Sequence, residues 1–333
     1  MLLQGHKLGK YTIIEPLGSG GFGAVYRARD TWINKDVALK VPHRQNLNFS
    51  ELLREPRLLA ALDHPNVVSI TTAEKQENIF FIVMEYIKGE TLENIIAKNG
   101  ALDVTLALDY ACQICEAVEH AHQHGIIHRD LRPPNVLIAD SGILKVADFG
   151  TSRFLEIAAQ GTTLIGSPAY MAPEQFEGKT VLASDLYSLG VTMYQMLTGV
   201  LPYETPTPSN LNKLMRGELV KTPGLHNPLI PRLLDDLIMK AMSPSLAGRY
   251  QNATELLSDL RTSQTRSSRI KRTSQETTKN LRNPSEGSAK SDNSTDHTKQ
   301  LDSPNTPSAR FCWKCNKPLH SRAGECPFCG EIQ

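Results

Sequence analysis

The chain has 333 residues, enough for one large two-lobed domain with a tail or for two ordinary domains. Its 36 Lys and Arg almost balance its 35 Asp and Glu, so nucleic acid is not an expected partner. No apolar run approaches the roughly 18 residues of a bilayer span, and the first residues, MLLQGHKLGK, lack the apolar segment of a secretory signal. We therefore expect a cytoplasmic protein without a membrane span.

The first part of the chain is predicted to be rich in β-strands. Residues 11–17, 24–29 and 36–41 are β-branched or alternating segments separated by turn residues, which predicts three strands. A helix is expected over residues 50–62, and the apolar segment 80–86 predicts a further strand.

After Gly89 the apolar residues recur at helical spacing. The period is clearest over residues 106–124, 184–197 and 231–242, which predicts helices there. A small β-rich half followed by a larger helical half is therefore expected, an α+β arrangement that ends near Arg261.

Residues 262–310 have a different composition. Ser and Thr are abundant and large apolar residues are almost missing, so this segment cannot bury enough surface to offset the entropy of ordering it. It is predicted to be a disordered linker.

A glycine-rich segment separates the first two predicted strands. Residues 18–23 read Gly-x-Gly-x-x-Gly, a pattern that lets a strand–turn–strand lie close over phosphates and present N–H groups to them. Dinucleotide-binding folds share the spacing, but there a helix follows, whereas Val25 lies in a predicted strand. Lys40 ends the next strand, and at this distance a phosphate contact is favoured over a solvated edge lysine.

Three further motifs complete a pattern. Residues 128–135 read HRDLRPPN, residues 148–150 read DFG and residues 172–174 read APE. With the glycine-rich segment and the strand lysine, they stand in the order found in protein kinases, and residues 11–261 resemble that family. The resemblance implies a two-lobed protein kinase fold and phosphoryl transfer from ATP.

The resemblance also assigns roles to the charged residues. In this family, catalysis depends on positioning and charge neutralisation. Asp130 is expected to accept the proton of the substrate hydroxyl or to orient that hydroxyl, and Asn135 and Asp148 to hold Mg²⁺ (or Mn²⁺). Lys40 is expected to bind the α- and β-phosphates and to pair with Glu55.

A set of nucleotide-binding residues follows from the same resemblance. Met84 is expected to border the adenine pocket, and the backbone of Glu85 and Ile87 to bond the base. The full set expected around ATP consists of Leu17, Gly18, Ser19, Gly20, Gly21, Phe22, Gly23, Ala24, Val25, Ala38, Lys40, Met84, Glu85, Ile87 and Leu137.

The segment before the APE motif indicates which hydroxyl is phosphorylated. Residues 166–174 resemble the serine/threonine branch rather than the Trp-containing loop usual in tyrosine kinases, so protein Ser and Thr are the expected substrates. Ser167 is placed to donate a hydrogen bond to Asp130. Thr162 and Thr163 are the nearest candidates for autophosphorylation, an unmodified polar loop being the alternative.

Other positions resemble the family in their structural role or depart from it. Arg249 is expected to pair with Glu174, and Asp185 to support the helical lobe. Arg132 replaces the usual Lys, and guanidinium and ammonium are not interchangeable at a tight phosphate site. Pro56, next to the predicted ion-pair partner of Lys40, requires that the helix begins near it or bends there.

The six cysteines fall into two groups. Cys112 and Cys115 lie in an apolar helical run and are expected to pack as small hydrophobes. The other four form two Cys-x-x-Cys pairs in residues 311–333, at Cys312, Cys315, Cys326 and Cys329. They resemble a small zinc ribbon with a structural Cys₄ site, although the spacer is shorter than usual and disulfides are the alternative.

Two functions therefore remain open. One is a protein serine/threonine kinase whose ribbon docks a partner that the sequence does not identify. The other is a pseudokinase scaffold that recruits partners through the ribbon and the linker. Pseudokinases usually lack a catalytic residue, whereas Lys40, Asp130, Asn135 and Asp148 are all present, which favours the enzyme.

Overall fold

The computed structural model describes residues 2–21, 23–43, 45, 52–149, 167–207 and 210–265, and the backbone of residues 310–311 and 318–319. Of Arg54 and Glu55 only the backbone is described. The predicted linker beyond residue 265 lies outside these ranges.

A six-stranded antiparallel sheet forms the first part of the chain. Its strands stand in the order β1–β2–β3–β4–β6–β5. They are β1 (Lys7–Leu8), β2 (Tyr11–Gly20), β3 (Gly23–Asp30), β4 (Lys35–Pro42), β5 (Ile70–Gln76) and β6 (Ile79–Glu85). The four predicted strands correspond to β2, β3, β4 and β6 and are confirmed. The sequence did not predict β5, because its side chains are mostly half-buried and polar rather than alternating.

The two faces of this sheet have separate apolar clusters. On one face, Tyr11 packs edge-on against Phe81, with ring centroids 5.7 Å apart. The opposite face carries the smaller cluster of Ala38, Leu52, Phe80, Ile82 and Met84. Successive side chains of a strand point to opposite faces, so Phe80 and Phe81 belong to different clusters.

Helix α1 (Arg54–Leu59) is short and contains Pro56 in its first turn. Proline is tolerated there because the N–H groups of a first turn have no intrahelical partner. Leu52 is itself helical, and Leu53, a turn residue with right-handed helical backbone angles, separates it from α1. The helix is therefore interrupted two residues before Glu55 and does not simply begin there. It ends in tighter turns, in which Leu62 N–H donates to the carbonyl of Leu59 at 3.0 Å, and this explains why the helix stops short of residue 62.

The second part of the domain is mainly helical. Its helices are α2 (Leu92–Asn99), α3 (Val104–Gln123), α4 (Leu182–Thr198), α5 (Leu211–Met215), α6 (Arg232–Ala241) and α7, which covers residues 253–265. The three helices predicted over residues 106–124, 184–197 and 231–242 correspond to α3, α4 and α6 and are confirmed. Almost every side chain of α4 is buried, so this helix forms the centre of the larger apolar core.

Helix α7 runs four residues past the predicted end of the domain at Arg261. Its last turn is polar, but the hydroxyls of Thr262 and Thr265 each donate to the carbonyl four residues earlier, at 2.9 Å. Ser263 is buried. A polar segment thus continues an existing helix because its side chains bond to that helix and one of them packs inside.

A second, smaller antiparallel sheet is formed by one strand before α2 and two strands after α3. It consists of β7 (Gly89–Thr91), β8 (Val136–Ala139) and β9 (Leu144–Val146). A Cβ atom on Gly89 would lie 1.9 Å from the carbonyl oxygen of Ile138, so β7 can approach β8 this closely only through glycine. Near the C-terminus, β10 (Arg310–Phe311) pairs antiparallel with β11 (Pro318–Leu319).

Candidate active site

Lys40 and Asp148 lie together although 108 positions separate them. Lys40 is on β4, opposite Val25 on β3, and is buried. Its Nζ donates to Oδ1 of Asp148 at 2.7 Å. The predicted phosphate-binding lysine and the predicted metal ligand therefore share one site between the β-rich and helical parts.

The backbone of Asp148 is in the left-handed region, with φ at 61°. This conformation costs a non-glycine residue about 1–3 kcal/mol and is concentrated at functional sites. Burial works to raise the pKa of Asp148, but the ammonium of Lys40 outweighs it and the pKa lies below the usual range of a carboxyl. The carboxylate is therefore ionised at neutral pH, as a cation ligand must be.

Two predicted residues of the catalytic loop, Arg132 and Asn135, both contact Asp130. Oδ2 of the buried Asp130 accepts hydrogen bonds from Nε of Arg132 and from Nδ2 of Asn135, both at 3.2 Å. Asn135 also donates to the backbone oxygen of Asp130 at 2.8 Å. Because this amide nitrogen is engaged twice, the side-chain oxygen of Asn135 is the atom that can meet a cation.

Asp185, at the start of α4, binds the backbone of the catalytic loop through its carboxylate. Its carboxylate accepts the backbone N–H groups of His128 and Arg129, each at 2.8 Å, and lies 2.8 Å from Nε2 of His122. Burial works to raise the pKa of Asp185, but these partners outweigh it and the pKa lies below its usual range. Arg129 has φ at 70°, so the residue before Asp130 is strained and held by this buried anion.

The glycines of the Gly-x-Gly-x-x-Gly motif differ in why they are required. A Cβ on Gly23 would lie 2.4 Å from the carbonyl oxygen of Val41, so β4 itself excludes a side chain there. Gly18, Gly20 and Gly21 have no atom within 4 Å of a Cβ position. Packing within the described chain therefore explains Gly23 but not the other three, which face open space.

The described residues expected around adenine come from β4, from β6 and the residues after it, and from β8 of the small sheet. Ala38 on β4 stands opposite Met84 on β6, and both are buried. Leu137 lies on β8 and is half-buried, as is Ile87 after β6. The N–H of Ile87 makes no hydrogen bond to any residue that the structure describes, so it can bond a base.

The predicted pair between Glu174 and Arg249 is confirmed. Arg249 is buried and donates from Nη1 and Nη2 to the two carboxylate oxygens of Glu174 at 2.7 and 3.1 Å. Burial works to raise the pKa of Glu174, but the guanidinium and the hydroxyl of Ser184 outweigh it, so the pKa lies below the usual range. The pair anchors the APE motif to the helical core.

Cys112 and Cys115 are buried in α3, as predicted for packed small side chains. Ser167, in contrast, makes no hydrogen bond with Asp130, although the structure describes both residues. The carboxylate of Asp130 accepts from Arg132 and Asn135 instead.

Several predicted site residues lie outside the described part of the chain: Phe22, Thr162, Thr163, Cys312, Cys315, Cys326, Cys329 and the side chain of Glu55. The Lys40–Glu55 pair, the phosphorylation sites and the zinc ligands therefore stay predictions. In the described ranges, no group of three or more Cys, His, Asp or Glu is arranged to hold a metal ion. The helices of the same ranges include none that is long and apolar enough to cross a bilayer.

Sequence reasoning missed two supporting residues. His122 bonds to Asp185, and Lys145 on β9 donates to Glu85 at 2.7 Å. Both contacts join positions about sixty residues apart, and neither residue stands in a recognisable motif. Only the three-dimensional pairing of the elements reveals them.

Comparison with known proteins agrees with this geometry. A family model for the protein kinase domain matches residues 11–279. The chain is 38% identical over 258 residues to a probable serine/threonine-protein kinase of Clostridium perfringens, covering 75% of this chain and 38% of that protein. It is 35% identical over 271 residues to the serine/threonine-protein kinase PrkC of Bacillus subtilis, covering 79% of this chain and 42% of PrkC.

A solved structure shares the fold. The crystal structure of Rad53 1–466 in complex with AMP-PNP matches with a TM-score of 0.64 and 28% identity, covering 74% of this chain and 64% of that one. The chain spans about two fifths of the length of the curated relatives that it matches.

Proposed function

Because this chain belongs to the protein kinase family, we propose that it transfers the γ-phosphoryl group of ATP to Ser and Thr hydroxyls of proteins. The 2.7 Å ion pair between Lys40 and Asp148 is the observation that carries the proposal, because it unites two motifs that are 108 positions apart in the chain. The pseudokinase alternative gains no support from the relatives, which are named as kinases.

The residues divide the work by their chemistry. Lys40 binds the α- and β-phosphates as a point charge, and the glycines with open space above them let the phosphates approach the backbone of β2 and β3. Asp130 accepts or orients the proton of the substrate hydroxyl, while Arg132 neutralises charge beside it. Glu55 is proposed to pair with Lys40.

The donor set also fits the expected cation. Asp148 offers a carboxylate and Asn135 an amide oxygen, the hard oxygen ligands that Mg²⁺ and Mn²⁺ prefer. When bound, the cation neutralises the phosphate oxygens. The adenine ring is proposed to lie between Ala38, Val25 and Leu137 and to bond the backbone of Glu85 and Ile87.

A radiolabelled-ATP assay on the purified protein with a generic protein substrate tests the proposal. Asp130→Asn should lower the transfer rate by about 10²- to 10⁴-fold, the usual contribution of a general base. Asp140→Asn is the matched control, because Asp140 is an exposed surface carboxylate paired only loosely with Lys88 at 3.2 Å. Equal transfer by wild type and Asp130→Asn would remove the catalytic claim and favour the scaffold.

We further propose that residues 311–333 form a zinc ribbon that docks a protein partner. Support comes from the β10–β11 pair, because the segment joining these antiparallel strands carries Cys312 and Cys315. Thiolates that are two residues apart on a tight turn can bind one Zn²⁺, and Cys326 and Cys329 would complete a Cys₄ set. We place the protein in the cytoplasm, where such thiolates stay reduced and ATP is supplied.

Zinc content tests the ribbon separately. Purified protein should hold about one zinc per chain, and the double change Cys312→Ser and Cys315→Ser should abolish it. Cys112→Ser, at a buried cysteine of α3, should leave the metal in place. Folded protein that carries no zinc would contradict the site.

A further inference from the structure

A polar junction connects the end of β6 with β9, the last strand of the small sheet. Oε1 of Glu85 accepts hydrogen bonds from Nζ of Lys145 at 2.7 Å and from the backbone N–H of Ser69 at 2.8 Å. Lys145 Nζ also donates to the carbonyl of Val67 at 3.3 Å. The side chains of Glu85 and Lys145 are only 25% and 19% exposed, so water screens this ion pair less than a surface pair.

The junction joins the elements that the proposed function uses at either end of ATP. Glu85 is the last residue of β6, and its backbone is proposed to form a hydrogen bond with the adenine base. Lys145 lies on β9, opposite Leu137 of β8, three positions before Asp148. The loop before β5 is bound to the same strand, since Val146 N–H donates to Asn66 and its carbonyl accepts from Val68.

We infer that Glu85 and Lys145 are a positioning pair that sets the distance between the adenine-binding backbone and the metal-binding carboxylate of Asp148. Neither side chain needs to touch the nucleotide. Oε1 of Glu85 accepts one bond from the ammonium of Lys145 and one from the backbone N–H of Ser69. Hydrogen bonds are directional, so these two fix the orientation of the end of β6, whereas an apolar contact of the same size would not. This inference rests on the proposed function, since it assumes that ATP spans both ends of the junction.

Removing one partner should therefore weaken nucleotide binding more than it slows transfer. In Lys145→Met, the KM for ATP should rise about tenfold, which corresponds to the loss of one charged hydrogen bond, while kcat and the KM for the protein substrate change less than about twofold. Lys145→Arg should recover most of the ATP affinity because it restores a cationic donor. Glu85→Gln should resemble Lys145→Met, and combining the two should add little.

Lys98→Met is the matched control, because Lys98 of α2 pairs with Glu90 of β7 at the same distance of 2.7 Å, on the exposed surface and without a residue of β6 or β9. It should leave every constant unchanged. Calorimetric titration of Mg–ATP into each variant reports binding without turnover. Wild type that neither binds ATP nor transfers phosphate would overturn the proposed function and this inference with it.

Other outcomes would overturn the inference alone. In an active wild type, an unchanged KM for ATP in Lys145→Met would show that the pair positions nothing. A kcat that rises at constant KM would show that the junction restrains the enzyme instead. Failure of Lys145→Arg to recover affinity, with a melting temperature as low as that of Lys145→Met, would show a purely structural role.

Discussion

The backbone N–H of Arg129 donates a 2.8 Å hydrogen bond to the buried carboxylate of Asp185, while Arg129 itself has φ at 70°. A left-handed conformation at a non-glycine residue persists only where surrounding contacts enforce it. The contact comes from α4, the most buried helix of the domain. The orientation of Asp130, the next residue, therefore depends on a side chain that reacts with nothing.

Replacing Asp185 by Asn should separate this support from the chemistry. The amide keeps one acceptor oxygen, but its NH₂ group faces donors that need an acceptor, which should cost about 1–3 kcal/mol of unfolding free energy. Displacement of Asp130 should also lower kcat by about 100-fold. Urea unfolding and steady-state kinetics measure the two effects. Asp140→Asn should change neither, and full activity in Asp185→Asn would contradict this dependence.

The Glu174–Arg249 pair predicts a pH-dependent contribution to stability. The pKa of Glu174 is lower in the folded protein than its value of about 4.3 in an unfolded chain. Its contribution is therefore complete above that pH and is lost as the pH falls through the folded-state value. Glu174→Gln should cost about 3–5 kcal/mol at pH 7, because Arg249 is left buried without its partner.

Denaturant unfolding at several pH values checks this prediction. The difference between wild type and Glu174→Gln should begin to shrink as the pH falls below the unfolded-state value of about 4.3, and it should be lost once the pH is below the lower folded-state pKa. Glu90→Gln removes an exposed ion pair and should show little effect at any pH. A difference that stays constant with pH would mean that the charge of Glu174 contributes nothing.

The motifs in the sequence predicted much of this arrangement, because each encodes a local geometry. The glycine spacing indicated a turn between two strands, and β2 and β3 confirm it. The order of the motifs implied that Lys40 and Asp148 meet, although no local pattern connects them. The sequence could not show that the helix is interrupted at Leu53 before Pro56, because a proline fits either a first turn or a kink.

Contacts outside the motifs could not be predicted in this way. The bond from Lys145 to Glu85 depends on the register of β9 against β8 and on where β6 ends, and neither follows from composition. Likewise, the polar residues that end α7 resemble the linker in composition. Their hydroxyl bonds to preceding carbonyls exist only once the helix has formed.

Burial of the two helical cysteines predicts slow thiol chemistry. Burial raises the pKa of Cys112 to about 11, and the pKa of Cys115 is raised still further. Because the thiolate is the reactive form, an alkylating reagent at pH 8 should leave both residues unmodified in the folded protein. Peptide mass spectrometry reads the result. In denaturant both should react fully, and rapid alkylation of native Cys115 would contradict its packing in α3.

Arg132 allows the charge and the shape of a side chain to be distinguished. Its contact with Asp130 is a single bond from Nε at 3.2 Å, and the side chain remains about 30% exposed. One donor of a guanidinium can be replaced by an ammonium, so Arg132→Lys should keep kcat within about fivefold. Arg132→Met removes the charge beside the reacting group and should lower kcat by about 10²- to 10³-fold, the usual cost of losing one stabilising donor.

Kinetics at saturating ATP measure both variants, with urea unfolding as the check on folding. If Lys fails as badly as Met while both proteins stay folded, the planar fork itself is required, and Arg132 must bind through more than the one nitrogen that meets Asp130.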